Sequence, residues 1–212
     1  MLGRLLRAIA VVLLVIAAVA TAAIPSVRAA VFEHTGHVLA AADAPGPADL
    51  LTMDVESGFA GVLKIADLYR EQPAADALLV PQPTAIDTAL AERGVKLPRV
   101  MRDALLQLGV REDAIVEIPA GEGGTTETTV ALAEWVRAHA TRRVLVVVGP
   151  SHGRRYRRAL LRVWPDGTPA PRVVTTPYAL FHERDWWQSR TTLREGLVEL
   201  EKLALDYVLH PI

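Results

Sequence analysis

Short apolar runs alternate with segments of helical periodicity from residue 49 to residue 209, and this alternation constrains the fold more than any other feature. The predicted strands cover residues 50–55, 77–80, 115–118, 144–148 and 173–175. The predicted helices cover residues 59–70, 99–108, 125–140, 154–163 and 184–209, and residues 84–97 leave room for another short one. Strands separated by helix-length segments form βαβ units, so we predict an α/β domain with a doubly wound parallel sheet of five strands.

The composition is that of one globular domain. Of the 212 residues, 51% are hydrophobic and 22% are charged, which is enough for a core and too apolar for disorder. The formal net charge is −1, which argues against a nucleic-acid partner held by bulk charge. The chain has no Cys, so thiol catalysis, disulfides and zinc-thiolate sites are excluded.

The first 25 residues carry the pattern of a membrane or export segment. Two arginines precede an apolar stretch, residues 8–24, that only Thr21 interrupts and Pro25 ends. Two interpretations stay open: an uncleaved transmembrane helix, and a signal peptide cleaved near residues 20–22. In both, the positive-inside rule sends the rest of the chain out of the cytoplasm. We predict a transmembrane helix over residues 1–25, a single-pass protein of the cell membrane and an extracytoplasmic domain.

The segment between this helix and the α/β domain is predicted to be a stalk. Residues 26–48 contain scattered Gly, Pro and polar residues without sustained periodicity. His34 and His37 lie within it, but two histidines without a third ligand do not make a metal site. The α/β domain accordingly covers residues 49–212.

Three loops are predicted to meet at the carboxyl edge of the sheet, where doubly wound domains bind their ligands. They are residues 54–58, 121–127 and 149–155. The third is the most informative, because an apolar strand ends at Gly149 and a histidine and four arginines follow on what reads as the start of a helix. A strand that delivers these side chains into a loop-to-helix turn is typical of an anion site.

In this third loop, His152 is the candidate general acid or base, or a hydrogen-bond donor to an oxyanion. Arg155, three residues later, is the candidate clamp for a carboxylate or phosphate. Ser151 and Arg154 are further candidate ligand-binding residues. We expect two of the four arginines to be plain surface residues. Ser151 is not expected to be a nucleophile, because no G-x-S-x-G elbow surrounds it.

The second loop is predicted to cradle the same anion. Gly123 and Gly124 would let the backbone approach a ligand, and Thr125 or Thr126 would cap the following helix or contact the anion. Glu122 is the candidate catalytic base. An ordinary loop and N-cap is the alternative interpretation of the same residues.

The first loop contributes Asp54 and Glu56, which lie two residues apart and point the same way if the strand continues. We predict that both line the ligand site. Together with Glu122 they would make a carboxylate site for a divalent cation, but no nucleophile motif surrounds them and we expect no metal.

Two features near the C-terminus have mainly a structural interpretation. Trp186 and Trp187 are expected to pack a helix against the sheet, with stacking on a sugar or base as the alternative. Glu195, Glu199 and Lys202 are expected to form exposed or half-buried ion pairs on the last helix.

Five motifs follow one another along the chain: a TTET helix start, the VLVVVGPSH-x-x-R strand and turn, the PRVVTTP strand, the WW pair and a closing E-x-x-K-x-x-x-x-Y helix. In this order they resemble the motifs of the YdcF/SanA/ElyC family, a bacterial domain of unknown function (DUF). The resemblance covers roughly residues 49–209 and is most specific over residues 122–159. It places the family's His on His152 and its Arg on Arg155.

The chain departs from the family pattern at three strand ends. Residues 53–58 (MDVESG) replace a Gly triplet, residues 81–83 (PQP) replace a Ser-Gly-Gly turn, and Val148-Gly149 replaces a Thr-Ser pair. The chain is therefore identified as a divergent member, with a changed ligand or a lost activity as the two outcomes.

The resemblance implies a Rossmann-like fold and a role in the cell envelope. The leading hypothesis is maintenance of peptidoglycan or polysaccharide by binding an anionic or phosphorylated ligand, either a small molecule or a lipid-linked glycan. One alternative is a non-catalytic envelope scaffold with a degenerate site that binds a protein partner. Another is a nucleotide or S-adenosylmethionine binder. No cofactor is assigned, and whether the protein is an enzyme stays open.

Overall fold

The computed structural model describes residues 23–72, 75–81, 84–118, 124–141 and 143–211, together with residues 6, 9, 12, 13 and 19. The helices are α1 (Pro25–Ala40), α2 (Gly58–Glu71), α3 (Ala85–Glu92), α4 (Val100–Gln107), α5 (Thr125–His139), α6 (Gly153–Val163) and α7 (Arg190–Leu209). The strands are β1 (Leu50–Met53), β2 (Asp76–Leu79), β3 (Ile115–Glu117), β4 (Val144–Val148) and β5 (Arg172–Thr175). Short 3-10 turns cover Val55–Ser57, Glu112–Ala114, Pro150–His152 and Trp186–Gln188.

The five strands form one parallel sheet in the order β3-β2-β1-β4-β5. The chain winds outward from β1 through β2 to β3, then returns to the centre and winds the other way through β4 to β5. The predicted α/β architecture with a parallel sheet of five strands is thus confirmed. The reversal places a topological switch point between β1 and β4, where such sheets bind their ligands.

Alternate residues of the central strands face opposite layers of helices. Leu51 and Val147 belong to the core shared with α2 and α4. Leu50 and Val146 belong to the core shared with α5 and α6. Because helices cover both faces of the sheet, all five residues of β4 are buried, and the strand reads in the sequence as an unbroken apolar run.

Helix α1 covers residues 26–40 of the predicted stalk, so this part is helical although the sequence shows no sustained periodicity there. The helix packs on the C-terminal part of the domain, where the Trp186 indole donates to the Phe32 carbonyl at 2.9 Å and Trp187 stacks on the Phe32 ring. The buried members of this third core are Leu39, Phe181, Trp186 and Leu203. The buried residues of α1 are Gly36, Leu39 and Ala40. Because two of these three are small, the helix has no stripe of large apolar residues that the sequence could show.

The predicted fold class is wrong in one part, the N-terminal transmembrane helix. Among the residues that the structure describes, no helix is both long enough and apolar enough to cross a bilayer. Most of the predicted span, including residues 1–5, 14–18 and 20–22, lies outside the described residues.

Candidate functional site

The switch point brings Asp54 and His152 together, although they lie 98 positions apart in the chain. The Asp54 amide donates to the Val147 carbonyl at 2.9 Å, which holds Asp54 at the end of β1. His152 closes the 3-10 turn that follows β4. Its Nε2 lies 2.5 Å from Asp54 Oδ2, and the two side chains are only 5% and 1% exposed. A buried imidazole–carboxylate pair is therefore fixed at the edge where ligands bind.

Gly149 leaves the space that the imidazole occupies. A Cβ at this position would lie 2.9 Å from His152 Cε1, closer than side-chain carbons approach one another. Gly149 therefore has a steric role, because a larger side chain would push the ring away from Asp54.

Arg155 joins this pair to two helices. Its Nε donates to Glu199 Oε2 of α7 at 2.8 Å, and its Nη1 donates to Thr125 Oγ1 at the start of α5 at 3.0 Å. The side chain is 13% exposed. Its Nη2 is buried and has no hydrogen-bond acceptor among the described residues. One donor of a buried guanidinium is thus unused beside the switch point.

Glu56 lies between the two cationic groups. Its Oε2 is 4.0 Å from His152 Nδ1 and 3.7 Å from Arg155 Nη2, both beyond hydrogen-bond distance. At 41% exposed, it is the most accessible carboxylate of the group. The imidazole, the guanidinium and the solvent therefore meet at this carboxylate.

Neighbouring charges explain the direction of two pKa shifts, those of His152 and Glu199. Burial lowers the pKa of His152, but the hydrogen bond and charge of Asp54, helped by Glu56 and Glu199, outweigh it and raise the pKa above the ordinary value. Burial also raises the pKa of Glu199, but hydrogen bonds from Arg155 and Lys202 outweigh it and lower that pKa. Both pKa shifts favour the charged form of the group, the imidazolium of His152 and the carboxylate of Glu199.

Two buried side chains were not expected at this site. Glu199 is 4% exposed and bridges Arg155 and Lys202, whereas its spacing predicts exposed or half-buried ion pairs. Tyr156 is buried under the site, and burial together with the Asp54 charge raises its pKa well above the ordinary value. The E-x-x-K pattern of the closing helix was the only sequence signal for Glu199. No sequence signal pointed to Tyr156.

Most predicted site residues come together around His152. The Ser151 hydroxyl is buried 3.3 Å from Nδ1. Gly124 precedes α5 with a φ of 74°, a backbone conformation that favours glycine. The members of the group are Asp54, Glu56, Thr125, Ser151, His152 and Arg155.

Other predicted site residues make different contacts or lie outside the residues that the structure describes. Arg154 is not part of the group, because its Nε donates to the Val38 carbonyl of α1 at 2.5 Å. The Thr126 carbonyl accepts from the Thr129 hydroxyl inside α5, and the predicted role of the Thr126 side chain stays a prediction. Glu122 and Gly123 lie outside the described residues, so their predicted roles stay predictions.

Comparison with known proteins adds no relative to this picture. No protein-family model and no curated protein matches the chain. The function must therefore be argued from the geometry of the site.

Proposed function

We propose that the protein binds a phosphorylated or similarly anionic ligand at the switch point between β1 and β4. Arg155 anchors the anion, and the buried Asp54–His152 pair lies beside it at the same edge of the sheet. Thr125 and the first amides of α5 complete the surroundings of the ligand. The family resemblance supports a ligand from the cell envelope, namely the phosphate of a glycan or lipid intermediate.

The unused Nη2 of Arg155 carries this proposal. A buried donor without an acceptor costs free energy, roughly 1–3 kcal/mol for a polar group. A ligand oxygen in front of Nη2 would complete this donor and remove that cost. Guanidinium is also the side chain whose geometry matches phosphate oxygens best.

The position of Thr125 supports the same ligand class. Its hydroxyl is already held by Arg155, and it is the first residue of α5. The first turn of a helix presents free amides and the positive end of the helix dipole. An anion that contacts Arg155 therefore lies beside a helix start that also favours negative charge.

Thermal and chemical denaturation of the full chain tests the proposal. The probes are inorganic phosphate, pyrophosphate and farnesyl phosphate, with S-adenosylmethionine as the competing class. A ligand at about a hundredfold excess over its Kd stabilises the folded state by about 2.7 kcal/mol. We expect this stabilisation from at least one phosphate probe and none from S-adenosylmethionine.

Two arginine variants make the test specific. Arg155→Lys keeps the charge but loses the fork of donors, so phosphate binding should weaken by about tenfold or more. Arg154→Lys is the matched control on the same helix and should bind like the parent protein. Equal binding by both variants, or stabilisation by S-adenosylmethionine alone, would show that the proposal is wrong.

A further inference from the structure

We infer that Glu56 and the Nδ1 atom of His152 bind one divalent metal ion, which contacts the phosphate held by Arg155. This inference rests on the proposed function and extends it. Asp54, Glu56 and His152 each offer one ligand atom, and these atoms lie within 4.8 Å of one another. They come from the end of β1, the turn after it and the turn after β4, so the sheet brings them together.

The distance between Glu56 and His152 fits an ion. Bonds from a divalent metal to imidazole nitrogen and to carboxylate oxygen are each about 2.0–2.2 Å long. Two such bonds at opposite positions of an octahedral ion span about 4.2 Å, and the observed separation of Nδ1 and Oε2 is 4.0 Å. Because Glu56 is 41% exposed, its side chain can adjust to the ion without moving the backbone.

Asp54 already holds the imidazole as a metal-binding histidine is usually held. Such a histidine donates its second ring N–H to a carboxylate, which fixes the tautomer and the ring orientation. Here Nε2 lies 2.5 Å from Asp54 Oδ2, so Nδ1 is the nitrogen directed toward Glu56. In this arrangement Asp54 positions the ligand rather than contacting the metal. The metal ion replaces the proton on Nδ1, which leaves to solvent.

Charge gives an independent reason for the ion. The cluster holds the carboxylates of Asp54, Glu56 and Glu199. The fixed cations that face them are Arg155 and Lys202, so the three carboxylates outnumber the two fixed cations. A dianionic phosphate beside Glu56 would be repelled. A divalent ion at Glu56 reverses this, since it is the largest local charge and bridges carboxylate and phosphate oxygens.

Mn²⁺ tests this site because it accepts mixed nitrogen and oxygen ligands and is detected by EPR. Titration of the full chain should show one bound Mn²⁺ per chain. Glu56→Gln should weaken Mn²⁺ binding by about tenfold or more, and Asp54→Asn by about 10–100-fold through loss of ring orientation. Glu112→Gln, an exposed carboxylate that pairs with Arg102 far from the cluster, is the control and should bind Mn²⁺ like the parent.

Calorimetry with inorganic phosphate separates this inference from the proposed function. We expect Mn²⁺ to tighten phosphate binding in the parent by about tenfold or more, and not in Glu56→Gln. Phosphate binding that is equal with and without Mn²⁺ would overturn the inferred contact between the ion and the phosphate but leave the anion site intact. Mn²⁺ binding unaffected by Glu56→Gln would overturn the metal site. If Mn²⁺ binding depends on Glu56 but phosphate does not bind, with or without Mn²⁺, the proposed function and the contact between ion and phosphate are both wrong.

Discussion

Arg155 and Arg158 lie one turn apart on α6, and each pairs with a buried carboxylate of α7. Arg155 pairs with Glu199, and Arg158 donates to Asp206 Oδ2 at 2.6 Å. The two guanidiniums are similarly buried, at 13% and 11% exposed. Each carboxylate also has a second cation at 2.7 Å, Lys202 in the first case and Arg162 in the second. The two clusters therefore start from the same chemistry.

The clusters differ in how many donors are used. Arg158 Nη2 donates to the His210 carbonyl at 3.0 Å, and its guanidinium lies 3.8 Å from the centre of the Tyr207 ring. Arg155 leaves its Nη2 without an acceptor among the described residues and faces the edge of the sheet. The comparison shows that a completed buried ion pair holds two helices together, whereas an incomplete one beside the switch point is suited to a ligand.

Arg158→Met should have the largest effect on stability. It removes a buried guanidinium that bonds Asp206, a carbonyl and a ring, so we expect the free energy of unfolding to fall by about 3 kcal/mol. Urea denaturation followed by circular dichroism measures this change. Arg137→Met, an exposed arginine of α5, is the control and should stay within about 0.5 kcal/mol of the parent.

Arg155→Met should destabilise less. Each carboxylate keeps a second cation, but Arg155→Met also removes a buried donor that has no acceptor among the described residues, whereas Arg158→Met breaks a further bond to a carbonyl and a ring contact. We expect a loss of about 1 kcal/mol in the same urea experiment, together with loss of phosphate binding. If Arg155→Met loses as much free energy of unfolding as Arg158→Met and still binds phosphate, both clusters have the same structural role and the assignment of Arg155 to a ligand site is wrong.

Acidification should have the smallest effect. Burial raises the pKa of Asp206, but hydrogen bonds from Arg162 and Arg158 outweigh it, so the pKa in the folded state lies below the ordinary 3.8. The carboxylate therefore stabilises the fold above that value, and the contribution is lost as the pH falls through the folded pKa. Unfolding curves at about pH 6, 5, 4 and 3 should show the free energy of unfolding falling with pH. In Arg158→Met this fall should be smaller than in the parent, by less than about 1 kcal/mol. A larger loss in the variant would contradict the assigned pairing.

The sheet was predictable because its signal is local. The residues of β4 are apolar without interruption, and the predicted span of 144–148 is the observed one. His152 and Arg155 were predictable for the same reason, since a strand end followed by a helix start fixes where they lie. Asp54 was predicted for the same edge, but its bond with His152 depends on β1 pairing with β4.

The sequence did not reveal the features that depend on tertiary packing. Glu199 sits at a spacing that also suits a solvated face, so only the position of α7 against α6 shows that it is buried. Arg154 and Arg155 are neighbours in the chain but point about 100° apart on a helix, and only one of them reaches the edge. Helix α1 escaped prediction because it packs through small residues and an aromatic pair rather than a stripe.

The long separation of Asp54 from His152 also has a consequence for folding. The site draws one half from the first strand and the other half from the fourth, so neither half of the chain contains it alone. Ligand binding during refolding would therefore report the moment when β1 and β4 become neighbours, and a chain arrested before that step would be structured in part but unable to recognise its ligand.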